Sequence, residues 1–158
     1  MSGTVIMKNK FKQAFMKTAE TFAELSTAVR AKVGAIIVKD DRIISIGYNG
    51  MPSGWDNVCE YEEVHPYSDI ELGQQLEKTG HLKTKPEVLH AETNAIAKLA
   101  RSTESGDGAV LFVTHSPCLE CAKLIFQSGI NTVVYRKQYR DNQGLHFLVK
   151  SGVNVEQC

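Results

Sequence analysis

The sequence has no surplus of charge of either sign. Its 158 residues include 18 Lys and Arg against 18 Asp and Glu, so the formal net charge at pH 7 is zero. Proteins that bind large nucleic acids usually carry a basic surplus. The balance therefore argues against such a partner, although a local basic pocket for a small phosphate stays compatible with it.

Long apolar runs are also missing. A helix that spans a membrane needs about 20 consecutive apolar residues, and no stretch of this sequence supplies them. Residues 1–13, MSGTVIMKNKFKQ, lack the apolar centre of a secretory signal. We therefore expect a cytoplasmic protein without a membrane partner.

Cysteines are few: Cys59, Cys118, Cys121 and Cys158. The middle two form a C-x-x-C pair. In a reducing compartment, such a pair indicates metal binding or redox chemistry rather than a structural disulfide. Cys158 is expected to be a free thiol.

The chain, residues 1–158, is expected to fold as one domain, and it contains no repeats or low-complexity tracts. Apolar residues recur at three- and four-residue steps between about 7 and 26, which predicts an amphipathic helix. Residues 33–48 place two β-branched runs around Asp40-Asp41, a pattern typical of a β-hairpin. Residues 49–54, NGMPSG, have turn composition.

After residue 88, helical and strand patterns alternate. The predicted order is helix 88–102, strand 109–114, helix 116–129, strand 132–136, helix 142–151 and strand 153–157. Alternation of this kind predicts parallel strands, whereas the hairpin is antiparallel. The expected fold class is therefore α/β, a three-layer α/β/α sandwich with a mixed central sheet. Residues 55–86 are polar and weakly periodic, which indicates an insertion with one short helix.

A histidine and a glutamate, His90 and Glu92, stand at the start of the apolar helix LHAETNAI. A buried charge there must be paired, neutralised or bound to a metal. Cys118 and Cys121 project from one face at the start of another helix, where thiolates are favoured. Two such helix starts can meet at one edge of the sheet.

One imidazole and two thiolates leave a zinc ion one ligand short of a closed structural site. An open fourth position is the mark of catalytic zinc. Glu92 is then free to move protons beside the metal-activated water. The alternatives are a redox pair at the C-x-x-C and a purely structural zinc site.

The pattern H-A-E followed by P-C-x-x-C is the signature of zinc nucleobase deaminases. From about Ser26 to Val155, the chain resembles the cytidine deaminase superfamily and, more closely, its deoxycytidylate deaminases, those of phages included. The matching segments are STAVRAKVGAIIV, IISIGYNGMPSG, HAETNAI, SPCLECAKLI, SGI and VVYRKQYRD. The resemblance implies a cytidine deaminase-like fold and the zinc-dependent hydrolysis of dCMP to dUMP and ammonia, which supplies dUMP for thymidylate synthesis.

The resemblance also implies roles for single residues. His90, Cys118 and Cys121 would hold Zn²⁺. Glu92 would take a proton from the water, protonate N3 of cytosine and later deliver a proton to the departing ammonia.

Further residues would contact the substrate. Asn49 would contact its sugar and base side, the amide of Ala91 the base carbonyl, and a backbone carbonyl around Ser116 the exocyclic amine. Tyr139 would reach the sugar-phosphate end. Arg30 is our choice for the phosphate, because a planar donor fork suits that group. In the alternative interpretations, Asn49 is only a turn residue, Tyr139 covers a surface and Arg30 forms a surface ion pair.

Members of this family are commonly homohexamers, activated by dCTP and inhibited by dTTP. The regulatory site is expected near Gly47, Tyr48, Asn49 and Gly50, where glycine would permit close approach of a nucleotide. Some relatives carry a second, structural zinc in the insertion, for which Cys59, His65 and His81 are the available ligands. Several of those relatives have a cysteine where this chain has Ala28, which removes one plausible ligand.

Two other functions stay open. The enzyme could accept a wider set of substrates, namely dCTP, a free nucleoside or the base of a tRNA, although the neutral charge disfavours tRNA. The chain could instead be a catalytically inactive, zinc-stabilised nucleotide sensor. The presence of Glu92 argues against the sensor, because a structural zinc site does not need that carboxylate.

Overall fold

The computed structural model describes residues 6–63 and 81–158. Helices and strands make up most of this part of the chain. In chain order they are α1 (Asn9–Ala23), β1 (Gly34–Lys39), β2 (Arg42–Tyr48), β3 (Glu60–Glu63), β4 (His81–Thr84), α2 (Ala91–Ala100), β5 (Val110–His115), α3 (Leu119–Gln127), β6 (Thr132–Lys137), α4 (Gln143–Lys150) and β7 (Asn154–Gln157).

Five strands form the central sheet in the order β2-β1-β5-β6-β7. Strand β1 is antiparallel to both of its neighbours, whereas β5, β6 and β7 run parallel to one another. The mixed sheet predicted from the sequence is therefore confirmed. The parallel part follows from the helices between its strands, because a parallel connection needs a crossover.

Successive side chains along a strand point to opposite faces of the sheet, and both faces are buried. Ile36 and Val38 of β1 pack with Met16 of α1, while Ala35 and Ile37 pack in a second cluster with residues of α2, α3 and α4. Helix α1 thus covers one face and the other three helices cover the opposite face. This arrangement confirms the three-layer α/β/α sandwich.

The predicted hairpin is confirmed at its turn. Asp40 and Asp41 have φ values of 50° and 58°, and they connect the paired strands β1 and β2. Two successive positive φ values match the twist of a hairpin, and Asp tolerates them better than most residues do. The α1 helix is shorter than the predicted range 7–26 at both ends.

The polar insertion contains a feature that sequence analysis missed. Strands β3 and β4 pair as a separate two-stranded antiparallel sheet, in which Glu60 faces Thr84 and Glu63 faces His81. Residues 55–63 and 81–86 contain no helix. The rest of the insertion, where the short helix would have to lie, is outside the described residues.

Within residues 6–63 and 81–158, no helix combines the length and the apolar character that crossing a membrane requires.

Candidate active site

The starts of two helices bring the predicted metal ligands together. His90 is the N-cap residue of α2 and Cys118 is the N-cap residue of α3, both with extended backbone. Cys121 lies in the first turn of α3 and is buried. Sequence analysis placed Cys118 inside the helix, whereas the structure places it one residue before. At that position its Sγ lies near the positive end of the helix, which favours a thiolate.

The three side chains form a compact donor set. Nδ1 of His90 lies 3.3 Å from Sγ of Cys121 and 3.6 Å from Sγ of Cys118. All three donor atoms lie within 4.8 Å of one another. A tetrahedral zinc ion with its usual bond lengths separates a nitrogen and a sulfur ligand by roughly 3.6 Å. The donor set therefore fits zinc, and elsewhere in the described ranges no other three ligand side chains cluster in this way.

The electrostatics of the metal-free cluster are strongly coupled. Hydrogen bonds from the Cys121 thiol and from His90 lower the pKa of Cys118 to about 4. The neighbouring Cys118 thiolate, together with burial, raises the pKa of Cys121. The hydrogen bond with Cys118 raises the pKa of His90. Metal binding would therefore compete with protons for these donor atoms.

Glu92 is the buried acid of this site. Its side chain is 4% exposed, and burial raises its pKa to about 7. The carboxyl group lies beside the Cys121 thiol and close enough to His90 for an electrostatic interaction between the two side chains. It is not one of the three clustered donors. The geometry therefore places three clustered donor side chains and one separate buried acid at this site.

A cavity of about 220 Å³ opens over this cluster. Its wall includes His90, Glu92 and Cys118. All five residues predicted to contact the substrate also belong to its lining: Arg30, Asn49, Ala91, Ser116 and Tyr139. The structure therefore brings together residues from segments that are far apart in the sequence.

Comparison with known proteins identifies the family. A family model, the cytidine and deoxycytidylate deaminase zinc-binding region, matches residues 9–137. The chain belongs to this family. The deoxycytidylate deaminase of Enterobacteria phage T4 is 40% identical over 135 residues, which cover 71% of this chain and 70% of that protein. The deoxycytidylate deaminase of Mycobacterium phage D29 is 38% identical over 129 residues, covering 78% of this chain and 92% of that protein.

A solved structure gives the same result. The dCMP deaminase of the cyanophage S-TIM5, in complex with dCMP and dUMP, is 45% identical and superposes with a TM-score of 0.81. The match covers 97% of this chain and 100% of that chain. The predicted resemblance to phage deoxycytidylate deaminases, and with it the fold class, is confirmed.

In this family member, Asn49 holds the cavity wall with its side-chain amide. Its Oδ1 accepts a hydrogen bond from the Val33 N–H at 2.8 Å, and its Nδ2 donates to the Ala31 carbonyl at 2.8 Å. One N–H of the amide and one lone pair of Oδ1 are not used in these bonds. The Asn49 side chain therefore holds the backbone of residues 31–33 in place. It also retains one N–H and one lone pair with which it can contact a ligand.

Ser116 positions Tyr139. The buried Ser116 hydroxyl accepts a hydrogen bond from the Tyr139 N–H at 2.7 Å, and the Ser116 N–H donates to the Lys137 carbonyl at 2.8 Å. These bonds fix the segment after β6 beside the start of α3. The Tyr139 side chain is 47% exposed and lies in the cavity wall.

Arg30 lies on a loop that a buried carboxylate holds. Oε1 of Glu60, a residue only 8% exposed, accepts hydrogen bonds from the N–H groups of Val29 at 2.9 Å and of Arg30 at 3.1 Å. The Arg30 guanidinium donates to Oγ1 of Thr84 at 3.1 Å. The Arg30 guanidinium thus contacts a hydroxyl and, within residues 6–63 and 81–158, forms no ion pair, which disfavours the surface ion-pair interpretation.

The end of β2 packs closely against α2. A Cβ atom at Gly47 would lie 2.2 Å from the Ala91 carbonyl oxygen and 2.7 Å from the Ala95 nitrogen. Glycine at this position thus permits the close approach of α2, while the nucleotide contact near this segment stays a prediction. At Gly50, a Cβ atom would meet nothing within 4 Å. The Tyr48 carbonyl accepts a hydrogen bond from Nδ2 of Asn94 at 2.8 Å.

The described ligands for a second zinc site do not meet. Cys59 is buried, with its Sγ 3.5 Å from the Thr27 hydroxyl, and it directly precedes β3. His81 pairs with Glu63 at the opposite end of β3, roughly 13 Å from Cys59 along the hairpin at the usual rise per residue. His65 lies outside the described residues. Cys158 is a free thiol, as expected.

Three ionisable residues of the cavity wall were missed by sequence analysis: Glu60, His115 and Arg140. Two of them had a signal in the sequence. His115 directly precedes the SPCLEC segment, and Arg140 directly follows Tyr139. Glu60 had none, because its position depends on the β3–β4 pairing within a polar stretch.

Proposed function

We propose that this chain hydrolyses dCMP to dUMP and ammonia, and so supplies dUMP for thymidylate synthesis. The observation that carries the proposal is the single cavity that holds His90, Cys118 and Glu92 in its wall together with two arginines, Arg30 and Arg140. The dCMP and dUMP bound to the S-TIM5 relative support the choice of substrate.

Zn²⁺ would be the resident metal, held by His90, Cys118 and Cys121. When bound, the ion would supply the Lewis acidity that lowers the pKa of a water molecule in the site to near neutrality. The remaining catalytic work falls to the side chains and backbone groups of this chain.

Glu92 would carry the protons. It is buried beside the ligand cluster and is not needed as a ligand, so its carboxyl can accept a proton from water and deliver it to N3 of cytosine. A second delivery would go to the leaving ammonia. The burial of Glu92 excludes bulk water, which keeps each transferred proton within the site.

The substrate would be held by groups along the cavity wall. The first N–H groups of a helix have no intrahelical acceptor, so the Ala91 N–H can bind the base carbonyl. The Ser116 carbonyl would accept from the exocyclic amine, and the unused groups of the Asn49 amide would contact the sugar and base side. Arg30 and Tyr139 would contact the sugar-phosphate end.

Arg140 extends this assignment, because it adds a second guanidinium to the wall that holds Arg30. Two planar donor forks in one cavity suit a phosphate better than one does.

Regulation and assembly belong to the same proposal. The enzyme would be a homohexamer, activated by dCTP and inhibited by dTTP at a site near Gly47, Tyr48, Asn49 and Gly50. The hydrogen bonds of this segment support the proposal, because Tyr48 is bonded to Asn94 of α2 and Gly50 is bonded to Leu89, the residue before His90. Through these bonds, a ligand at the turn could alter the position of a zinc ligand.

A deamination assay tests the function. Purified zinc-loaded protein is given deoxycytidine, dCMP or dCTP, each with and without dTTP, and ultraviolet absorbance follows the conversion of cytosine to uracil. We expect turnover of dCMP, suppressed by dTTP. Glu92→Gln should lower kcat by about 10²–10⁴-fold with zinc content and fold retained, while the exposed Glu87→Gln control keeps its activity.

The other outcomes identify the alternatives. Turnover of dCTP as well would mean that the phosphate site is permissive. Absence of turnover with zinc bound would favour another base or a nucleotide sensor. Full activity of Glu92→Gln would contradict the assigned proton carrier.

A further inference from the structure

His115 occupies the cavity wall without any role in the chemistry described above. It is the last residue of β5 and precedes the segment that carries Cys118. Because side chains alternate along a strand, His115 lies on the same face as Leu111 and Val113, which pack with α2 and α3. Thr114 belongs to the opposite face.

A chain of hydrogen bonds ends at the His115 ring. The Gly34 N–H donates to Oγ1 of Thr114 at 3.2 Å, and the same Oγ1 lies 3.0 Å from Nδ1 of His115. Thr114 is only 5% exposed. A buried hydroxyl has one proton and needs an acceptor for it.

This chain of bonds determines which ring nitrogen carries the proton. Among the described residues, Nδ1 of His115 is the only acceptor within hydrogen-bond distance of the Thr114 hydroxyl. Donation from the hydroxyl to Nδ1 satisfies the hydroxyl proton, and this arrangement requires the ring proton on Nε2. Burial, together with the nearby Lys137 charge, lowers the pKa of His115, which favours the neutral ring.

We propose that His115 is a substrate-contact residue: its neutral ring donates a hydrogen bond from Nε2–H to an oxygen of the bound nucleotide. Thr114 is its positioning residue, since the hydroxyl selects the tautomer that presents a donor to the cavity. The inference rests on the proposed function, because it names a contact to the nucleotide of that reaction.

Two substitutions of His115 test the contact. His115→Leu removes the donor, whereas His115→Gln places an amide N–H near the position of Nε2. We expect His115→Leu to raise KM for dCMP and Kd for the product dUMP by about tenfold, with a smaller change in kcat and full zinc content. His115→Gln should recover part of the loss.

Deoxycytidine locates the acceptor. A loss confined to dCMP assigns the bond to the phosphate, and an equal loss with deoxycytidine assigns it to the base or sugar; both results support the inference. Unchanged KM and Kd for His115→Leu with all three ligands would overturn it. If the wild-type protein neither deaminates nor binds these nucleotides, the proposed function itself is wrong. If the wild type is active and His115→Leu behaves like it, only the inference about His115 is wrong.

Nitrogen-15 NMR of the histidine rings tests the role of Thr114. Wild-type His115, identified by comparison with His115→Gln, should show an unprotonated Nδ1 and a protonated Nε2. Thr114→Ser keeps the hydroxyl and should preserve this pattern. Thr114→Val removes the hydroxyl. We expect the chemical-shift change that the hydrogen bond causes at Nδ1 to disappear and KM for dCMP to rise.

Thr114→Val also takes an acceptor from the Gly34 N–H, so the variant could unfold. The wild-type and Thr114→Ser spectra do not depend on that variant. A wild-type ring protonated on Nδ1 would overturn the tautomer assignment.

Discussion

Gly50 and Leu89 exchange two backbone hydrogen bonds, 3.1 Å from the Gly50 nitrogen and 2.8 Å from the Leu89 nitrogen, each to the carbonyl of the other residue. They form an isolated antiparallel bridge outside the named strands. Because Leu89 directly precedes His90, this bridge connects the turn after β2 to a predicted metal ligand. The position of the imidazole therefore depends on a backbone contact with a remote part of the chain.

Gly50→Pro tests this connection. Proline removes the N–H that donates to Leu89, so we expect a loss of about 1–3 kcal/mol in the free energy of unfolding and weaker zinc retention. Gly50→Ala is the matched control, because a Cβ atom there meets nothing within 4 Å. Thermal unfolding and zinc content after dialysis measure both effects. Equal zinc retention in the two variants would mean that the bridge does not position His90.

Removal of zinc should destabilise the protein. The three donors come together only in the folded chain, so an ion that binds them stabilises the native state. We expect a chelator to lower Tm and added zinc to restore it. Cys118→Ser should lose stoichiometric zinc on dialysis, whereas Cys158→Ser, a free thiol outside the cluster, should keep it. Retention of zinc by Cys118→Ser would remove that thiol from the ligand set.

Glu60 should affect substrate binding through the loop of Arg30. Glu60→Leu leaves the N–H groups of Val29 and Arg30 without their acceptor, which we expect to cost about 1–3 kcal/mol of stability. KM for dCMP should rise more than KM for deoxycytidine, because Arg30 is displaced from the phosphate end. Glu60→Gln keeps an acceptor oxygen and should be milder in both respects.

The exposed Glu62→Leu on the same strand is the control for Glu60→Leu. An identical rise of KM for dCMP in both variants would show that the effect is not specific to the Glu60 hydrogen bonds.

Gly144→Ala should invert the usual preference for alanine in a helix. Alanine ordinarily stabilises a helix by about 0.5–1 kcal/mol relative to glycine. At Gly144, however, a Cβ atom would lie 2.1 Å from the Pro117 carbonyl oxygen and 2.9 Å from the Cys118 carbonyl group. We expect a loss of about 1–3 kcal/mol and weaker zinc binding, measured by denaturant unfolding and zinc titration.

The exposed His146→Ala on the same helix should stay within about 0.5 kcal/mol of wild type. A Gly144→Ala protein as stable as wild type would show that α4 can move away from the Cys118 segment without cost.

Local patterns account for what sequence analysis predicted correctly. The hairpin around Asp40-Asp41, the existence of the helices that follow His90 and Cys118, and the mixed sheet follow from periodicity, turn composition and the order of elements. The β3–β4 pair was missed because its strands are short, polar and separated by a long segment, so that neither has a period of its own.

The sequence by itself determined the layers of the fold and the chemical set His90, Glu92, Cys118 and Cys121, because these depend on residue types at short spacings. Only the tertiary structure decided how the cavity wall is held. Contacts between remote segments, such as Glu60 to Arg30 and Thr114 to Gly34, depend on strand pairing and helix packing. They leave no local pattern in the sequence, and for the same reason the ring of His115 was found only in the folded chain.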